Sequence, residues 1–110
     1  MTKISLYKDE DGKITGFTSE GHSGYADAGS DIVCAAVSVL TENLVNSVEE
    51  LLKVDVDAEV REKDAYLNVS VKDYKRDDVQ LLFSAMELGL KEIADSYKRY
   101  VKLTNRRCKP

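Results

Sequence analysis

Apolar positions along the chain follow two rhythms, one of two residues and one of three to four. "KISLY" alternates, with Ile4 and Leu6 on one side, as a half-buried strand does. "DEDG", Asp9 to Gly12, reads as a turn, and its Asp11-Gly12 pair suits a hairpin. "KITGFTSEGH" then reads as the returning strand, ending at His22. After a glycine-bearing loop the rhythm changes. Val33, Val37, Leu40, Leu44, Val48 and Leu51 predict a helix that Ser30 or Asp31 can cap and that runs to about Leu52. Alternation returns through Val54, Val56, Ala58 and Val60. "EKDA" turns the chain, and Leu67, Val69 and Val71 alternate again, which makes this the clearest hairpin in the pattern. A second amphipathic helix is expected from Arg76 to about Lys98, with Val79, Phe83, Met86, Leu90, Ile93 and Tyr97 as its stripe, and "YVKLT" reads as a last strand.

Each element has one apolar face, so the economical arrangement covers one face of a sheet with both helices. The expected fold class is α+β: a two-layer sandwich with a mainly antiparallel sheet and two helices, in the order ββαββαβ. A chain of 110 residues with one proline and no internal repeat is read as a single domain over residues 1–110. Apolar residues are 43% and charged residues 33%, a globular rather than a disordered balance.

Charge adds a partner class. The net charge of −4 divides into −9 over residues 1–90 and +5 over residues 91–110. The acidic body suits a basic protein partner and argues against a broad nucleic-acid footprint, so direct nucleic-acid binding is not expected. The basic end, "KRYVKLTNRRCKP", reads as a solvated terminus. "MTKISLYKDEDG" has no apolar leader region, and no run approaches the roughly 20 apolar residues of a membrane span. Two cysteines make no disulfide framework. Together these point to a reducing, cytoplasmic setting and to no membrane partner.

The chemistry concentrates in "GHSGYADAGSDIVCAA", Gly21 to Ala36. It holds the one histidine, His22, and one of two cysteines, Cys34. Cys34 falls in the first helical turn, where unpaired amides and the helix dipole stabilise a thiolate and can serve an oxyanion. Helical spacing puts it at the edge of the apolar stripe, with Asp31 and Ser38 one turn away. Gly21, Gly24 and Gly29 would let the loop fold His22 back towards the thiol. The same residues also describe a small core cysteine, a surface histidine and an ordinary loop, so composition and spacing leave both readings open. One His and two Cys do not supply a closed zinc site, and no Walker A lysine follows the glycines.

The stretch resembles the signature of the ribosomal-processing cysteine protease family, Prp. Gly21-His22, the loop from Ser23 to Ser30, Asp31-Ile32-Val33-Cys34 and Ala35-Ala36-Val37-Ser38 follow its pattern in order, and the resemblance extends over essentially the whole chain. It implies a cysteine endopeptidase that removes the short N-terminal extension of bacterial large-subunit ribosomal protein L-twenty-seven, cutting after an aromatic-rich apolar stretch. It implies a homodimer, Cys34 as nucleophile, His22 as its base, and Asp31 and Ser38 in support. No cofactor and no metal are implied. Gly21, Ser23, Gly24, Tyr25 and Gly29 are then expected to form a substrate loop, with Asp31 either orienting His22 or capping the helix. Two other classes fit the same residues: a non-catalytic binding module or chaperone for a basic ribosomal protein, and a thiol redox protein using Cys34 with Cys108.

Overall fold

The computed structural model describes residues 1–27 and 31–107. Five strands and two α-helices follow in the expected order: β1 (Thr2–Lys8), β2 (Ile14–Glu20), α1 (Ile32–Glu50), β3 (Asp57–Arg61), β4 (Tyr66–Ser70), α2 (Asp77–Ser96) and β5 (Val101–Arg107). A 3-10 turn, Glu62–Asp64, joins β3 to β4. The sheet order is β3-β4-β2-β1-β5, antiparallel except for the β1–β5 pair. The α+β sandwich with a mainly antiparallel sheet is therefore the fold. Ile4, Leu6, Phe17 and Val69 from the sheet pack with Val33, Val48, Val79, Phe83 and Leu90 from the helices into one core.

Turn chemistry pins the first hairpin. The Asp9 carboxylate accepts the Asp11 and Lys13 amides at 2.9 Å each and the Tyr74 hydroxyl at 3.0 Å. From α2, the Gln80 side chain accepts the Ile14 amide at 2.9 Å and donates to the carbonyls of Ile14 and Tyr74, both at 2.7 Å. The register Lys3↔Glu20 brings the start of β1 beside the end of β2. That end of the central strands faces the N-terminus of α1.

Several expectations are corrected. Strand β2 ends at Glu20, so His22 lies two residues beyond it. The alternation from Val54 to Val60 yields a strand only over Asp57–Arg61, and all five of its residues are exposed. Val54 is core, but it precedes the strand. Edge position explains this, because no helix reaches over β3. Leu51 belongs to the periodic stripe, yet as the C-cap of α1 it is 74% exposed. Finally, α1 is long and apolar enough to cross a membrane by length and composition, unlike any run expected from the sequence. Here its stripe of Val33, Val37, Leu44 and Val48 is buried in the core instead.

Candidate active site

Gly21 begins the site. Its φ of +85° is costly for any side chain, and a Cβ there would stand 2.6 Å from the Met1 carbonyl oxygen. Its carbonyl accepts the Thr2 hydroxyl and its amide donates to the Asp64 carbonyl, both at 3.2 Å. Three segments thus hold the peptide that carries His22. The His22 ring is exposed and lines a cleft of about 690 Å³ together with Cys34, Asp31, Ser38, Gly21 and Gly24. No hydrogen bond fixes that ring among the described residues.

Asp31 begins the helix. Its Oδ1 accepts the Val33 amide at 3.0 Å and the Cys34 amide at 2.9 Å, an N-cap of the kind that first-turn amides require. Its Oδ2 accepts the Ser23 hydroxyl. Burial pushes the Asp31 carboxyl up. The Ser23 hydroxyl, the amide and thiol of Cys34 and the Ala26 amide outweigh it and hold the group well below the usual carboxylate range. Both oxygens are thus engaged, by the cap and by the loop, and neither is bonded to His22. The first-turn amides of Val33 and Cys34 are therefore not open to an oxyanion.

Cys34 is half-buried and free. The Ser23 amide donates to its Sγ at 3.2 Å. Ser23 is therefore a junction that sequence reasoning counted only as loop: its amide meets the thiol, its hydroxyl meets Asp31, and the Tyr25 amide donates to that hydroxyl at 3.2 Å. Ser38 sits exposed one turn beyond Cys34 on the cleft wall.

Tyr25 is anchored at a second point. Its ring meets Tyr97 and Tyr100 edge-on, with centroids 5.6 and 5.2 Å apart. Gly24, at φ +78°, turns the chain between the two anchors. Gly29 and Cys108 lie outside the described residues. The signal for Thr2 and Met1 at the site was present in the first hairpin, whose register, carried one pair further, sets Thr2 against Gly21. The Ser23–Asp31 and Tyr25–Tyr97 contacts have no local sequence signal.

The family model for cysteine protease Prp matches residues 1–102. The chain belongs to the Prp family. It is accordingly an enzyme, a cysteine protease. Similar relatives include the ribosomal processing cysteine protease Prp of Staphylococcus aureus, 25% identical over 103 residues that cover 94% of this chain and 97% of that one. The Prp of Bacillus subtilis is 28% identical over 108 residues, covering 94% and 96%. Among solved structures, S. aureus Prp with a covalently linked product peptide superposes with a TM-score of 0.92 at 24% identity, covering 96% and 100%, a likeness of fold. A Streptococcus mutans protein superposes with a TM-score of 0.86 at 29% identity, covering 98% and 99%. In this chain the cleft lies where the paired ends of β1 and β2 meet the start of α1.

Proposed function

We propose that the protein is the endopeptidase that trims the N-terminal extension of large-subunit ribosomal protein L-twenty-seven, through a Cys34/His22 dyad. The observation that carries this is the Ser23 amide pointing at Cys34 Sγ within a cleft that His22 also lines. The names of the curated relatives supply ribosomal processing as the setting, and the acidic body suits a basic ribosomal substrate.

In the proposed mechanism the Cys34 thiolate attacks the scissile carbonyl carbon, forming a C–S bond and pushing the carbonyl electron pair onto oxygen. The Ser38 hydroxyl, one turn on in the cleft wall, is proposed to donate to that oxyanion. Collapse breaks the C–N bond, and His22 as imidazolium protonates the departing amine. The thioester remains on Cys34. His22, now neutral, takes a proton from water, and the hydroxide attacks the thioester and releases the acid and the thiolate. Asp31 holds the helix start and Ser23 in place.

The working form is proposed to be a homodimer in the cytoplasm. Ile32 and Val39 on α1, and Leu81 and Leu88 on α2, support self-association. Each pair is seven residues apart, hence on one stripe, and all four are exposed. Sedimentation velocity of wild type and of a Val39→Asp, Leu88→Asp variant tests it: a dimer that the variant splits is expected, and a wild-type monomer rejects it.

The extension-bearing ribosomal protein, incubated with wild type and with Cys34→Ala, tests the activity by mass spectrometry. One cut near the substrate's N-terminus, made by wild type alone, is expected. His22→Ala should lose at least about 100-fold in rate, the lower scale of general acid–base catalysis. Stable binding by both forms without a cut would instead favour a chaperone. Dependence on Cys108 would favour a redox protein.

A further inference from the structure

A second groove, of about 310 Å³, opens off the cleft. The two share Ser19, Val37, Ser38 and Ala65 in their walls, so an extended chain lying across Cys34 runs from one into the other. One wall is α1 and the other is the β3–β4 hairpin. Val60 and Leu67 line it as register partners on the helix-facing side of the hairpin, yet Val60 is 64% exposed because no helix covers it. A large apolar side chain left open on the inward face of a sheet, directly beside a peptidase cleft, is surface that substrate can bury.

The charge in this groove is one-sided. Glu42 enters from α1 and Glu62 from the 3-10 turn, and neither has an ion-pair partner among the described residues. Among the described residues the one cation in the walls, Arg61, is already engaged. It lies 3.9 Å from Glu59, 3.7 Å from Asp64 and 4.0 Å over the Tyr66 ring.

We infer that this groove is a substrate subsite. It takes an extended segment a few residues from the scissile bond, with an apolar side chain against Val60 and Leu67 and a lysine or arginine between Glu42 and Glu62. Successive residues of an extended chain advance by about 3.3 Å and alternate sides, so one segment can present both groups. The inference rests on the peptidase reading above and adds a sequence preference to it.

The test uses peptides that span the mapped cut, neutral except for one lysine walked from four residues before the bond to six after it. Wild type should prefer lysine in one narrow window on one side of the bond, raising kcat/KM about three- to fivefold, the scale of partly exposed ion pairs. Glu42→Gln with Glu62→Gln should erase that window while cleaving the lysine-free peptide as wild type does. Val60→Ser should raise KM for every peptide and leave kcat unchanged, and high salt should flatten the lysine preference. Peptides cleaved without regard to lysine position, or a window that survives in the double variant, would overturn the subsite. Failure of wild type to cut any peptide or the intact protein is a different result, and it removes the peptidase reading together with the subsite.

Discussion

At the scale of single residues, the site depends on groups that do two tasks. Asp31 caps α1 and clamps Ser23, and its carboxyl is held below its ordinary value of 3.8. A carboxyl lowered in the folded state binds fewer protons there than in the unfolded chain. Stability therefore rises with pH across that interval, is complete above about pH 5, and is lost as acid protonates Asp31. Asp31→Asn should flatten that acid limb, so that urea midpoints at pH 5 and pH 2.5 differ less in the variant than in wild type; equal differences would refute the linkage. Gly21 is a second such residue. Gly21→Ala must accept a positive φ and a carbonyl oxygen in the space of its methyl. A loss of at least about 1 kcal/mol is expected, read as a melting temperature lower by about 4 °C or more. Cleavage should fall further than stability, because His22 moves with it. The capping place of Asp31 and the position of Cys34 and Ser38 one turn apart were legible in the sequence because cap chemistry and helical spacing are local. The dual role of Ser23 was not, since both of its partners sit on the far side of the loop.

At the scale of elements, periodicity located every strand and helix, and the errors fell at ends and edges. Leu51 and Val60 carry the correct period but lie at a helix end and on an edge strand. A pattern states which face is apolar; it does not state how far the covering element extends. The β1–β2 turn shows the complementary case. Its Asp-Gly chemistry is local, but the side chain that fixes it comes from α2. Gln80→Ala removes three hydrogen bonds and leaves the Ile14 amide, on a buried residue, without its partner. A cost of about 1–3 kcal/mol is expected in urea unfolding, with cleavage at 25 °C unchanged because the staple is remote from the cleft. A cost near zero would mean that water replaces the amide fully.

At the scale of the whole molecule, charge and topology set how substrate arrives. With a net −9 over residues 1–90, association with a basic protein should be steered. The kcat/KM for the intact substrate should therefore drop several-fold between about 50 and 500 mM salt, while a short neutral peptide is cleaved with little change. Parallel losses for both would place the salt effect in the enzyme rather than in the encounter. The sequence by itself determined the fold class, the order of elements and a helix start at Ser30 or Asp31, because period, caps and turn preferences act over a few neighbours. Only the tertiary structure decided that Asp31 holds Ser23 rather than His22, and that Tyr25 rests on Tyr97 and Tyr100. It alone set Glu42 and Glu62 across one groove beside Cys34. Those contacts join segments 8 to 75 residues apart, and their partners are chosen by how the sheet and helices pack, which no local pattern encodes.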